Sequence, residues 1–333
     1  MSIKNQVLLL LEQNKHTPLS GEELAKRLGC TRAGIWKAVK SLINEGYDVE
    51  AVNNKGYTLR ESADVLSEAY IEEKLKAAGI NIAVKCEKCV DSTNNVLKAM
   101  ASEGYTDDYV LISEEQTAGK GRRGRSFYSP KGTGLYLSFL LHPEIPVIEA
   151  QGLTTMAVTA EALAIEKVTG VDVFIKWVND LFFKGKKVSG ILTEASTSIE
   201  DGSLEYAVPG IGINLYEPEG GFPDEIKDIA GAVFENNIKV ENLKNNLAAE
   251  LIIQFMKYYN AQFIEKTGNA YIEDYKKRCF VVGKDIEILT PDHEALNVKA
   301  HVLDIDDNCH LHVKYEDGRE EYLSSGEISV HVL

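Results

Sequence analysis

Apolar positions in the first sixty residues recur at helical spacing. Leu24, Ala25 and Leu28 make one stripe, and Ile35, Val39, Leu42 and Ile43 follow at i, i+4, i+7 and i+8. Ser20 and Glu23 form the S-x-x-E pattern of a capping box, and Gly29 stands where a helix closes. Thr31 is a plausible N-cap for the next helix, and residues 4–13 supply an earlier one. After Gly46, VEAV and GYTL flank Asn53-Asn54-Lys55, which reads as a hairpin. Three helices and a hairpin predict a winged helix-turn-helix, with Ile43 in its core. Arg32, Lys37 and Lys40 fall off the apolar stripe, so the candidate DNA-contacting set is Arg32, Trp36, Lys37, Lys40 and, at the wing, Lys55. The competing reading is a protein-docking domain with a solvated basic face.

From residue 61, ESADVLSEAYIEEKLKAAGI reads as a linker and then a helix. YVLISEEQ, GLYLSFLL, VDVFIKW, KVSGILTEAS and EYAVPGIGINLY are strand-like, and residues 149–170 form a long helix closed by Gly170. Short turns join several strands, which favours an α+β multidomain chain with a mixed or antiparallel central sheet over a doubly wound fold. From about residue 276 the alternation predicts a small β-barrel of about five strands. The expected domains are 1–63, 64–275 and 276–333.

Charge divides the chain unevenly. The net charge is −15, yet residues 1–60 hold 9 Lys+Arg against 6 Asp+Glu, a net of +3, while the remainder holds 27 against 45, a net of −18. A basic head on an acidic body suggests that only the head meets a polyanion. The chain has no apolar run long enough to span a bilayer, and the N-terminus does not read as a signal peptide. Five scattered cysteines fit a reducing compartment, so a cytoplasmic protein with no membrane partner is expected. Cys86 and Cys89 make a CxxC on an extended stretch, where the two sulfurs would diverge, so they read as ordinary thiols. His310 and His312 alternate on one face with no acidic partner expected nearby, and read as plain surface.

Against this background "GKGRRGR" is anomalous: Lys120, Arg122, Arg123 and Arg125 fall within six residues, among Gly119, Gly121 and Gly124. The glycines match G-x-G-x-x-G, but the proline and glycines that follow cannot begin a helix, so a dinucleotide fold is not supported. A basic loop that lets backbone N–H groups and arginine forks reach a phosphate remains. Other candidate stretches are Asp91-Ser92-Thr93-Asn94-Asn95, whose hydroxyls and amides suit a neutral polar ligand, and Asn179-Asp180 at a strand end. Lys187 and Gly190 open the next strand. Asn214 follows Gly210 and Gly212, in a strand where a ligand can approach closely.

In order along the chain, the winged head, DSTN, Q-x-x-G-K-G-R-x-G-R, SPKGTGLYLS, KWVND, KVSGIL, GIGIN and SSGEIS resemble the bifunctional biotin protein ligases that also repress the biotin operon. Lys120 departs from the family's usual arginine, and Val178 from its proline. The resemblance implies a ligase-like central domain, an SH3-like C-terminal barrel, and ATP-dependent transfer of biotin through biotinyl-5′-AMP to a lysine of a carboxylase carrier domain. It implies biotin contacts at Ser92, Thr93, Asn94, Gln116, Gly119, Lys120, Gly121, Arg122, Lys187 and Gly190. It implies adenylate contacts at Arg122, Arg123, Arg125, Asn179, Asp180, Lys187 and Asn214. Lys187 and Arg122 would serve catalysis, and Asp180 would help place Mg2+. The implied partners are the carrier domain, operator DNA and a second copy of the chain, with biotinyl-AMP promoting the homodimer. A ligand-sensing repressor that binds biotin or a nucleotide but has lost catalysis, and a lipoate ligase, are the rival readings.

Overall fold

The computed structural model describes the chain apart from residues 1, 15–16, 53–54, 61–64, 147–148, 199–201, 235–239, 241, 290–294, 325–328 and 333. The hairpin tip at 53–54, the first linker residues and most of the SSGEIS stretch therefore lie outside the described residues. Two compact units emerge, Met1–Asn81 with Lys239–Ala249, and Ile82–Ile238 with Glu250–Leu333.

In the first unit, α1 (Ile3–Gln13), α2 (Gly21–Leu28) and α3 (Arg32–Glu45) precede the hairpin of β1 (Val49–Val52) and β2 (Gly56–Leu59). The caps are those the sequence predicts: Ser20 Oγ accepts from the Glu23 N–H at 3.0 Å, and Thr31 Oγ1 from the Gly34 N–H at 3.1 Å. The Glu23 carboxylate pairs with Arg27 one turn on. Val7, Leu11, Leu24, Ile35, Val39 and Leu42 fill the core. Ile43 does not join them. It is 48% exposed, because Leu42 takes the last core position on α3 and Tyr47 closes the layer beyond it. The helix α4 (Glu68–Ala77) follows, and the Ser67 N–H donates to Asn245 Oδ1 at 2.7 Å, at the start of α7 (Leu243–Tyr259).

The second unit is built on a seven-stranded sheet. Its strands are β3 (Ala83–Glu87), β4 (Tyr109–Ser113), β5 (Gly134–Leu140), β6 (Phe174–Lys176), β7 (Asp180–Phe183), β8 (Lys186–Thr197) and β9 (Leu204–Asn214). The order is β3-β4-β5-β9-β8-β7-β6, with only β3 and β4 parallel, as a mixed sheet in an α+β domain requires. The helix α5 (Thr93–Ser102) lies on one face, where Leu97 packs with Leu111, Leu140 and Val208. The helix α6 (Ala150–Thr169) lies on the other, where Thr154 hydrogen-bonds Thr193 at 2.7 Å. On that second face Phe139 of β5 stacks on Phe255 of α7 at 4.2 Å. The Trp177–Val178 peptide is cis.

The C-terminal strands overturn the expectation of a barrel. β10 (Asp285–Leu289), β11 (Ala295–Ile305), β12 (Leu311–Tyr315), β13 (Glu320–Leu323) and β14 (Ser329–Val332) form one antiparallel sheet in the order β13-β12-β11-β10-β14. Closure would require the two outer strands to pair. β13 and β14 are four residues each and stand at opposite edges, so the sheet stays open among the described residues. Alternation reports which face is buried, here Ile286, Val302, Leu311 and Val313, but it cannot report which edges meet. The two histidines also differ from expectation, since each has a carboxylate. His310 Nδ1 lies 3.0 Å from Asp306 and His312 Nε2 3.2 Å from Glu320, with the His312 ring stacked on Tyr322. Cys86 lies within β3 and Cys89 beyond its end, and neither forms a disulfide.

One buried group in α6 has a measurable consequence. Glu161 is fully buried, and neither carboxyl oxygen has a well-aligned hydrogen-bond partner among the described residues. Burial pushes its pKa from 4.5 to about 8, with the Ser189 hydroxyl opposing the rise and Asp180 adding to it. The unfolded chain loses this proton near the ordinary value while the folded chain keeps it to about 8. The group's contribution to stability is therefore complete at low pH, falls as pH rises from about 4.5, and is exhausted above about 8. Glu161→Gln should raise the melting temperature relative to the unchanged chain at pH 8.5 and lose that advantage at pH 5. Thermal unfolding at the two pH values checks this, and an equal difference at both would refute it.

Candidate active site

Two adjoining cavities lie on the α5 face of the central sheet. The smaller is lined by neutral polar groups: Ser92, Thr93, Asn94 and Gln116, with Lys120 and Phe127 at its side. Ser92 precedes α5 yet makes no capping bond to it, so its hydroxyl is not committed to the helix. The Thr93 N–H donates to Gln116 Oε1 at 2.9 Å, the Thr93 hydroxyl lies 3.1 Å from the same oxygen, and Gln116 Nε2 donates to Ser129 Oγ at 3.1 Å. Sheet glycines make the space. A Cβ at Gly210 would lie 2.0 Å from Asn94 Oδ1, and one at Gly212 would lie 2.5 Å from the Phe127 ring.

The larger cavity, about 260 Å³, is lined by Lys120, Arg122, Arg123, Arg125 and Lys187, with Asn179, Asp180 and Asn214. The basic loop reaches it because the chain folds back on itself. The Gly121 N–H donates to Arg125 O at 2.7 Å, and the Phe127 N–H to Gly119 O at 2.9 Å. Between them Arg122–Gly124 makes one 3-10 turn, with Arg123 at φ 57°. Gly119 lines neither cavity. It sits at the crossing, where a Cβ would meet Phe127 O at 2.5 Å and Ser129 Oγ at 2.6 Å.

Lys187 arrives by a β-bulge. Ser189 pairs with Leu181 but Lys187 pairs with Phe182, so Val188 is the extra residue and Lys187 lies on the same face as Gly190. Its Nζ is 2.6 Å from Asp180 Oδ1. A Cβ at Gly190 would lie 3.0 Å from that Nζ. Arg122 Nη1 donates to Asn179 Oδ1 at 3.1 Å, and Asn179 Nδ2 to Ile191 O at 2.7 Å, which fixes the amide between loop and sheet. Burial pulls the Arg122 and Lys176 pKa values down, and Asp180 opposes both shifts. Asp180 is thus the counter-charge for Lys187, Arg122 and Lys176. Such a surface suits a polyanion whose charge exceeds what one carboxylate can neutralise.

The loop and strand-end residues predicted from sequence therefore meet around these two cavities. Sequence reasoning did not single out Phe127, which lines both, or the apolar side of the larger one, Phe222, Ile226 and Ile229. That side comes from a turn-rich segment with no periodicity to mark it. Glu194 and Lys98, which pair beside Asn94, were also missed. The alternation Gly190, Leu192, Glu194 along β8 was the signal available for the first.

In the first unit, Arg32, Trp36, Lys37 and Lys40 share one exposed face of α3. Trp36 is 54% exposed and the Lys40 ammonium lies 5.1 Å from its ring centroid. Lys55 is exposed at the hairpin. A basic face on the last helix of the trio matches a recognition helix.

Three family models match in chain order: an HTH domain over residues 4–58, the biotin/lipoate A/B protein ligase family over 86–214, and the biotin protein ligase C-terminal domain over 281–330. The bifunctional ligase/repressor BirA of Bacillus subtilis is 35% identical over 229 residues, covering 69% of this chain and 70% of its own. That of Salmonella typhimurium is 31% identical over 312 residues, covering 93% and 92%. The biotin protein ligase of Aquifex aeolicus, solved in complex with biotin and ATP, superposes with a TM-score of 0.61 at 27% identity, covering 75% of this chain and 99% of that one. With head, ligase domain and C-terminal domain all matched at this identity, the chain belongs to the BirA family of bifunctional ligase/repressors.

Proposed function

We propose that the chain activates biotin with ATP, transfers it to a lysine of a carboxylase carrier domain, and represses transcription by binding operator DNA. The observation that carries the reading is the junction of a neutral polar cavity with a cationic one, Lys120, Phe127, Gly190 and Leu192 lining both. A ligand with a neutral polar head and a carboxylate tail spans such a junction, and its tail then meets the phosphate surface. In the first step a biotin carboxylate oxygen attacks the α-phosphorus and pyrophosphate leaves. In the second the acceptor amine attacks the acyl carbonyl and AMP leaves.

Two anions must approach in the first step. In this reading Lys187 lies against the α-phosphate and carboxylate, and Arg122 holds the same phosphate from the loop side. Asn179, Asn214, Arg123 and Arg125 receive the nucleotide. Ser92, Thr93, Asn94 and Gln116 frame biotin's ring, with Lys120 at its side. Among the described residues no three His, Cys, Asp or Glu cluster, and Asp180 is the one carboxylate on the cationic cavity. That donor set fits Mg2+ arriving with the triphosphate and taking one protein carboxylate, rather than a resident metal. The ion would add positive charge against the phosphates.

The division of labour we propose is residues 1–63 for DNA, 64–275 for the chemistry and 276–333 as the C-terminal domain. One short basic helix face reads too few bases for tight binding, which favours a homodimer that spaces two heads by a helical turn or its multiple. Biotinyl-AMP would promote that dimer. No helix among the described residues is long and apolar enough to cross a membrane.

Pyrophosphate release with ATP and either biotin or lipoate tests the reading. Turnover with biotin is expected, and turnover with lipoate alone overturns it. Lys187→Ala should lower the adenylation rate by roughly 10²–10³, as loss of one preorganised donor does, with biotin affinity much less affected. A variant with normal adenylation and poor biotin binding would contradict that role. Lys37→Ala with Lys40→Ala should weaken operator binding across sequences and flatten its dependence on log salt by about 1 for each phosphate no longer neutralised. DNA titrations at several salt concentrations measure this, and an unchanged slope would remove these lysines from the interface.

A further inference from the structure

Asn94 lies in the neutral cavity, yet its amide is consumed inside the protein. Nδ2 donates to Glu194 Oε2 at 2.9 Å and to Leu192 O at 3.2 Å, with Val208 O at 3.4 Å. Oδ1 accepts from Ser138 Oγ at 2.6 Å and rests on Gly210, where no Cβ could fit. Turning the amide over would set its carbonyl oxygen against a carboxylate and two carbonyls. The orientation is therefore fixed, and the strongest of the three acceptors is Glu194.

Glu194 is itself held. Lys98 sits one turn beyond Asn94 on α5, and its ammonium pairs with the other carboxylate oxygen. Burial pushes the Glu194 pKa up, but the hydrogen bonds from Lys98 and Asn94 outweigh it and leave the group below its ordinary value. A charged acceptor is thus maintained beside the Asn94 amide. Its effect passes along a chain of hydrogen bonds. With Asn94 presenting its carbonyl, Ser138 gives its single hydrogen to Asn94. The Ser138 oxygen, 2.7 Å from Thr93 Oγ1, then accepts the Thr93 hydroxyl hydrogen, and the Thr93 N–H holds Gln116 Oε1 at 2.9 Å. Were the Asn94 amide reversed, Ser138 would accept from it and donate to Thr93, and the donor order at Thr93 would invert.

We propose that Glu194, locked by Lys98, is a positioning residue for recognition of the ligand's neutral polar head. It sets the donor and acceptor order of the Asn94–Ser138–Thr93–Gln116 chain without touching the ligand. This rests on the functional reading above, in which that head is the ureido ring of biotin.

The test is steady-state pyrophosphate release by the full chain, with biotin varied at saturating ATP and ATP varied at saturating biotin. Glu194→Gln keeps the shape but frees the Asn94 amide to turn. It should raise the KM for biotin by about tenfold to hundredfold, the usual cost of a lost hydrogen bond to a charged group. The KM for ATP and the kcat should stay within about twofold, the signature of lost ground-state binding. Preference for biotin over 2-iminobiotin, which carries a donor in place of the ureido oxygen, should narrow. Lys98→Met should raise the same KM by a smaller factor, because Glu194 still faces Asn94, and Glu194→Asp should restore part of the loss. An unchanged biotin KM in Glu194→Gln overturns the proposal. So does a parallel shift of both KM values, kcat and melting temperature, which would mark a purely structural residue. Absence of turnover in the unchanged chain overturns the functional reading itself, before any variant is compared.

Discussion

Three missing side chains hold this site open. Gly190 and Gly212 are register partners on β8 and β9, and Gly210 faces Leu192 two pairs along, on the same face. A Cβ on any of them would strike Lys187, Phe127 or Asn94 at 3.0 Å or less. The sheet is therefore bare where the lysine, the loop aromatic and the helix amide must converge. Each of the three glycines weakens a central strand, and the site uses the space so released. The basic loop and α5 have somewhere to dock only because the sheet offers this flat patch.

The same patch sets the electrostatics. Cations from the loop and from β8 meet around one carboxylate, Asp180, which cannot neutralise them all. An acidic chain thus carries a local surplus of positive charge, enclosed on its other side by Phe222, Ile226 and Ile229. Apolar walls lower the local dielectric and strengthen the pull on an anion. On the opposite face of the sheet Glu161 remains a buried acid, and Asp180 adds to the cost of ionising it. The carboxyls on the two sides of β8 are thereby assigned different states, one charged against lysine and one neutral.

Much of the fold was legible because it is written locally. Helix stripes, the Ser20 and Thr31 caps and the Gly29 terminus are contained within single elements, and each is found as read. The failures concern relations between elements. Ile43 had the right period, but Leu42 took the last core position. The C-terminal alternation marked the buried face, but closure depends on edges far apart in sequence. His310 and Asp306 were four residues apart, yet a turn rather than a strand brings them together. In the site, the loop, strand-end and helix-start residues were legible as short polar or glycine-rich runs. Phe127, Glu194 and Lys98 were not, since an aromatic, a strand carboxylate and a helix lysine look ordinary until the sheet brings them beside the cavity.

The crossing at Gly119 joins the two halves of the site mechanically. Gln116 binds Thr93 through its oxygen and Ser129 through its nitrogen, and Ser129 in turn donates to Phe127 O at 2.9 Å. The Phe127 N–H returns to Gly119 O, so the base of the arginine loop is tied to the neutral cavity by consecutive hydrogen bonds. A ligand that tightens the Thr93–Gln116 contact therefore also braces the segment carrying Arg122, Arg123 and Arg125. An anion gripped by those arginines pulls on the same bonds from the other end. Coupling of this kind is reciprocal by thermodynamic necessity. Its strength depends on Gln116, whose two ends join Thr93 to the base of the arginine loop.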